Sequence, residues 1–224
     1  MSKRRYYPHL ATLFFLLTLL VVILSWIFDV YGMTVNDPHT GEQLRIQSLL
    51  SSEGLRWLLR NAITNFTGFP PLGWGIVVLF GAGVVWHSGF TDAALRTVTH
   101  GRISHRERRS LALAVIVEII YIALILFATF SPWGIFLSVA GGLVRSPFME
   151  GLLFLVSLGV ALLGISYGLA SGRYKRDSNL VDGMTGFAQL LSVYLVIVFF
   201  AAQLFACLEY SHINNYLLQY ITML

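Results

Sequence analysis

Ser110–Val144 reads SLALAVIVEIIYIALILFATFSPWGIFLSVAGGLV, and its single charged residue is Glu118. A helix crosses a hydrocarbon core of about 30 Å with about 20 residues, at about 1.5 Å per residue. This stretch is long enough to cross once and leave a tail. Pro132-Trp133-Gly134 ends the helix, so Ile135–Val144, which contains Gly141-Gly142, is expected to be an outer re-entrant or interfacial segment. Four more stretches share the pattern: Leu10–Phe28, Asn61–Trp86, Gly151–Gly172 and Gly183–Leu208 contain no Asp, Glu, Lys or Arg. With 56% hydrophobic residues, 12% charged and a mean hydropathy of +0.72, the chain carries more apolar surface than a water-soluble fold of its size can shelter. The reading is an all-α integral membrane protein, a single polytopic domain over residues 1–224. It has about five transmembrane helices, approximately 10–30, 72–91, 110–131, 149–170 and 186–208, with one or two short interfacial or re-entrant helices and no β-structure.

The basic residues fall in alternate connections. Lys3, Arg4 and Arg5 precede the first span. The loop 92–109 carries Arg96, Arg102, Arg106, Arg108 and Arg109, and the loop 171–183 carries Arg173, Lys175 and Arg176. The intervening connections hold Arg45, Arg56, Arg60 and Arg145 beside Asp37, Glu42, Glu53 and Glu150. The positive-inside rule then places the N-terminus inside and the C-terminus outside. Topology and lipid headgroups account for the net charge of +4, so nucleic acid is not an expected partner. The basic start followed by an apolar run resembles a secretory signal. The run is longer than a signal core, however, and no small-x-small site follows at Asp29-Val30-Tyr31, so a retained helix is expected. The lone Cys207 excludes an intrachain disulfide and reads as inert packing.

The outer loop 31–71 contains the turn signals Asn36-Asp37-Pro38 and Thr40-Gly41. Ile46–Arg60, with Leu49, Leu50, Leu55, Leu58 and Leu59, fits a short amphipathic interfacial helix that starts at Ser51 or Ser52. Gly68-Phe69-Pro70-Pro71-Leu72-Gly73 interrupts the backbone before the second span, which makes Asn65, Gly68, Pro71 and Gly73 structural turn candidates. Gly81 and Gly83 in that span, and Gly164, Gly168 and Gly172 at intervals of four in the fourth, are helix-packing candidates. Small residues let helices approach where lipid supplies no hydrophobic drive.

Glu118 lies nine residues beyond Arg109, so about 13 Å along the helix at about 1.5 Å per residue. An ionised carboxylate at that depth costs several kcal/mol unless it is protonated, paired or wet. One reading is a proton- or cation-coupling site. The other is a protonated carboxyl hydrogen-bonded to a neighbouring helix, through Gln189 or Gln203. Gln203 is the second transport or coupling candidate, with interhelical hydrogen bonding as the alternative. Trp86-His87-Ser88 marks an interface, and His100 and His105 read as solvated. No nucleophile elbow, zinc motif, phosphate-binding loop or Cys/His cluster is present, so no enzyme, metal or cofactor is expected.

Two segments are similar to the AbgT family of bacterial p-aminobenzoyl-glutamate transporters. The first, Ser48–Arg96, carries Asn65–Phe69, Pro71-Leu72-Gly73 and a glycine-rich helix ending in Ser88-Gly89-Phe90. The second, Ser146–Asn214, carries Ser-Pro-Phe-Met at its start, the Tyr-Gly…Gly-Arg-Tyr-Lys turn and Phe199-Phe200-Ala201-Ala202-Gln203. The resemblance implies a secondary transporter of the bacterial inner membrane, coupled to an ion gradient and built as a homodimer. Its solutes would be p-aminobenzoyl-glutamate or related aromatic acids and drugs. It also implies a shortened member. Ser88-Gly89-Phe90 runs through one basic loop into ERRSLALAVIVEIIYIALILF, which resembles a helix found much later in full-length members. The first re-entrant hairpin is absent from this reading, the chain stops at Leu224 before the second, and an acidic residue of the second helix is replaced around Val85-Trp86-His87. Alternatives are a transport-incompetent scaffold partnering a full-length transporter or a missing transport segment, and a small membrane enzyme or sensor.

Overall fold

The computed structural model describes residues 9–36, 41–99, 101–138 and 141–222, with Ile221 and Thr222 described by backbone alone. Lys3, Arg4, Arg5, Asp37, Pro38, Thr40, His100 and Leu224 lie outside these residues. Packing divides the chain into two compact units, Met1–Leu72 with Ser192–Leu224, and Gly73–Leu191. Five candidate spans are present among the described residues: Leu10–Val30, Ser52–Ser88, His105–Phe130, Leu152–Ser171 and Ala188–Ser211.

In the first unit, α1 (Leu10–Val30) is followed by β1 (Thr34–Asn36) and β2 (Gln43–Arg45), paired antiparallel with Val35 opposite Leu44. This hairpin corrects the expectation of no β-structure. Each strand is only three residues long, too short for alternation to register in the sequence, although Gly41 at φ +71 supplies a left-handed position that favours glycine. The hairpin's exit is tied to α1. Arg45 pairs with Asp29 at 3.0 Å, and the fully buried Ser25 hydroxyl accepts from Leu49 N at 3.0 Å. Ile46 and Leu49 are completely enclosed with Val21, Leu204, Cys207 and Ile213, so Cys207 is a packed apolar side chain.

The helix expected within Ile46–Arg60 is α2 (Ser52–Thr67), capped by Ser51 Oγ on Gly54 N at 3.0 Å. It starts later than Ile46 because Ile46 and Leu49 are drawn into that core. The backbone break after it is only Gly68-Phe69, since α3 (Pro70–Ser88) begins on Pro70. A helix tolerates proline in its first turn, where the missing N–H has no intrahelical partner. Asn65, Pro71 and Gly73 are therefore helical, not turn, residues. α9 (Ala188–Ser211) and α10 (Ile213–Thr222) follow later in the chain, and the first unit takes α9 from Ser192 onward. The Tyr194 hydroxyl donates to Pro71 O, and Trp57 stacks on Tyr210 at 4.3 Å.

The second unit contains α3 from Gly73, then α4 (Phe90–Val98), α5 (His105–Phe130), α6 (Pro147–Glu150), α7 (Leu152–Ser171) and α8 (Asp177–Met184). α5 opens with a capping box in which Ser104 Oγ accepts from Arg106 N and Glu107 accepts from Ser104 N at 2.8 Å. Ala93, Ala114 and Tyr167 form a buried cluster joining α4, α5 and α7. The segments 131–138 and 141–146 are irregular, with Gly134 at φ +48 and Arg145 at φ +54. The first is anchored by Phe148 N on Phe136 O at 3.1 Å. The short helices α4, α8 and α10 were not anticipated, because eight to ten residues carry too little periodicity to be separated from a polar loop.

Backbones come very close in this unit. A Cβ on Gly83 would lie 2.5 Å from Gly183 O, and one on Gly81 would lie 2.7 Å from Ser157 O, whereas one on Gly73 would meet nothing within 4 Å. Gly83→Ala should therefore cost about 1–3 kcal/mol by overpacking, and Gly73→Ala should stay within about 0.5 kcal/mol of the parent. Thermal unfolding in detergent measures both, and equal midpoints for the two variants would refute the close approach.

Candidate functional site

α5 contributes one face to packing and leaves most of its apolar side chains exposed. Ala114 is fully enclosed. Glu118 follows one turn later on the same face, and Tyr121 follows Glu118 by three residues, so all three point toward α7. The opposing residue is Gly159, where a Cβ would lie 2.7 Å from Glu118 Oε1 and 3.0 Å from Tyr121 Cε1. Glycine is what admits both side chains. The Tyr121 hydroxyl is fixed by donating to Leu155 O at 2.8 Å.

Glu118 is half-buried, and its Oε2 is enclosed with no hydrogen-bond partner among the described residues. It lines a cleft of about 290 Å³ whose other walls are apolar, chiefly Ile122, Ile125, Leu152, Leu155 and Val156. A buried oxygen without a partner costs about 1–3 kcal/mol, and such groups call for an explanation in function or ligand. Chemically, this carboxyl can hold and release a proton or accept a hydrogen bond from a donor entering the cleft.

The hydrogen bond to Gln189 or Gln203 considered from the sequence does not engage Oε2. Gln203 is used within its own unit, where Nε2 donates to Ala62 O at 2.7 Å and Oε1 accepts from Asn65 Nδ2 at 3.3 Å. That places Gln203 in an α2–α9 hydrogen-bond pair and makes Asn65 its partner.

The glycines at intervals of four do not form one uniform stripe. Gly164 meets the α3 backbone, 2.8 Å from Val85 Cα. Gly168 lies under the Tyr174 ring, and the Tyr174 hydroxyl donates to Val84 O at 2.7 Å. Gly172 is the left-handed cap of α7 at φ +78. Gly81, Gly83, Gly164 and Gly168 are thus all filled from within the chain and are not free faces for a second copy. The residues that sequence reasoning missed are Tyr121, Gly159 and Tyr174. The i+3 spacing from Glu118 could have indicated the first, but no local signal marks the other two.

This arrangement defines a polytopic α-helical membrane protein. Among its described residues, no three His, Cys, Asp or Glu side chains come together as a metal site. The chain belongs to the AbgT putative transporter family, whose sequence model matches residues 5–102 and 96–222. It is 35% identical over 88 residues to the p-aminobenzoyl-glutamate transport protein of Escherichia coli (strain K12), a match spanning 39% of this chain and 17% of that protein. Its fold is similar to the Alcanivorax borkumensis YdaH transporter, with a TM-score of 0.80 and 18% identity over 92% of this chain and 71% of that one. It is also similar to Neisseria gonorrhoeae MtrF, one of a class of antimetabolite efflux pumps, with a TM-score of 0.83 and 20% identity over 95% and 71% of the two chains.

The Gln203–Asn65 pair is open to a double-mutant cycle. Gln203→Leu should cost about 1 kcal/mol by removing the bonds to Ala62 O and Asn65, and Asn65→Leu should cost less in its presence than alone. Additive costs would show that the pair is not coupled.

Proposed function

We propose that this chain acts in ion-gradient-coupled transport of p-aminobenzoyl-glutamate-like solutes or related aromatic acids and drugs across a bacterial inner membrane. The N-terminus would lie inside, and the protein would assemble as a homodimer through surfaces other than its filled glycine faces. Family membership over both matched stretches supports the transport class, and the name of the E. coli relative supports the solute class. Glu118 is the coupling carboxyl in this reading, and the observation that carries it is the unpartnered Oε2 enclosed in an apolar cleft. An enzyme is not part of the proposal, since the relatives are transporters.

A second reading is favoured by one observation: the family model matches in two pieces that meet at residues 96–102. In that reading the chain is a scaffold that partners a full-length transporter or a separate transport segment and moves no solute alone. Uptake of labelled p-aminobenzoyl-glutamate into proteoliposomes containing only this chain distinguishes the two. Saturable, gradient-dependent uptake is expected for the transporter, and no uptake until a full-length homologue is added would leave the scaffold reading. Glu118→Gln should preserve folding, because an amide matches a protonated carboxyl in shape and polarity, and should abolish dependence of uptake on the pH gradient. Retained dependence would remove Glu118 from coupling.

A further inference from the structure

The start of α5 carries a second feature, away from the Glu118 cleft and independent of any transport activity. His105, Arg106 and Arg109 surround an open notch of about 470 Å³ floored by Leu113 of α5 and Ala170 of α7. Arg106 lies across the end of α7, its guanidinium 2.4 Å from where a Cβ on Gly172 would stand. The Ser110 hydroxyl is occupied by donating to Arg106 O at 2.9 Å. The nearest acid is turned elsewhere: Glu107 pairs with Arg96 at 3.1 Å and accepts from Ser104 N at 2.8 Å. Arg106 and Arg109 are in no ion pair among the described residues.

What lies next to these cations limits the kind of anion they suit. Continuing from Arg109 on one helical face, Leu113, Ile116, Ile120 and Leu124 are all exposed, at 51%, 55%, 54% and 61%. Guanidinium groups present fixed forks of donors suited to phosphate oxygens. An apolar track leading away from such a fork has the form of a phospholipid: phosphate at the interface, acyl chain along the helix. A soluble phosphate compound would match only the first half. Basic pockets between helix ends are a recognised mode of anionic headgroup capture.

We infer that this notch binds the phosphate of an anionic phospholipid, with an acyl chain lying on the Leu113–Leu124 stripe. The test uses the full chain in nanodiscs of mixed phosphatidylcholine and phosphatidylglycerol, and lipids retained on the protein are counted by native mass spectrometry. Phosphatidylglycerol should be enriched roughly thirtyfold over the bulk ratio, the order that two interfacial cations give. The double variant Arg106→Gln with Arg109→Gln should lose that enrichment. Arg102→Gln with Arg108→Gln, the same change in net charge outside the notch, should keep it. Both notch arginines are exposed, and thermal unfolding checks that the variant remains folded. Should it unfold, the wild-type ratio and competition by glycerol phosphate decide. No enrichment, equal loss in both double variants, or full displacement of lipid by millimolar glycerol phosphate would each overturn the assignment.

Discussion

A hydrocarbon core supplies no water, so every polar group there must find its partner within the protein. The small hydroxyls meet this requirement by bonding back along their own helices. Ser25 donates to Val22 O, Ser88 to Val85 O, Thr129 to Ile125 O, Ser166 to Leu162 O and Ser211 to Cys207 O, at 2.7–2.8 Å. The larger polar groups reach across to a neighbour, as Gln203 does to Ala62 O and Tyr174 to Val84 O. Only Glu118 Oε2, Ser131 Oγ and Asn214 Oδ1 are enclosed without partners among the described residues. Of these, only Glu118 can carry a charge, and only Glu118 lines the apolar cleft. Its isolation is informative because the same requirement is met nearly everywhere else.

Close packing follows from the same absence of water. Lipid tails are as apolar as leucine, so helices associate through dispersion, which requires contact at van der Waals distance. Gly81 and Gly83 bring α3 against Ser157 and Gly183, and Gly164 brings α7 against Val85. Each is a point where a methyl group would meet backbone, which cannot move aside as a flexible side chain can. Gly159 uses the same freedom differently, making room for a carboxyl and a phenol.

The spans were legible because length and the absence of charge are properties of a stretch, and five such stretches became five candidate spans. The place of Glu118 inside an apolar run is likewise a property of the stretch. What could not be read were contacts between stretches. Nothing near Gly159 announces that it faces Glu118, and nothing near Gln203 announces Ala62 and Asn65, 141 and 138 residues away. The regular spacing of Gly164, Gly168 and Gly172 suggested one role, but the structure assigns three, because the helix ends at Ser171 and a tyrosine from the following turn folds back over Gly168. The hairpin was missed for a different reason. Its pairing is held by the enclosure of Val35 and by Arg45–Asp29, both tertiary effects on strands too short to declare themselves.

The two family matches overlap between Arg96 and Arg102, where a join between segments would be expected to leave loose ends. The described residues there are tied to the helices on both sides. Thr99 N and Gly101 N close the end of α4 on Leu95 O and Arg96 O at 2.9 and 2.8 Å. Three residues later, the Ser104–Glu107 capping box opens α5. Arg96 reaches across the connection to Glu107 at 3.1 Å, so the residue at which the second match begins is paired with the first turn of the next helix. An exposed ion pair of this kind contributes little stability, about 0–1 kcal/mol. Its significance is geometric, because it sets α4 beside α5 at the point where Ala93 and Ala114 enclose Tyr167. α5 can follow α4 closely because Thr99 N, Gly101 N and Ser104 N all find acceptors and the Ala93–Ala114–Tyr167 packing joins the two helices.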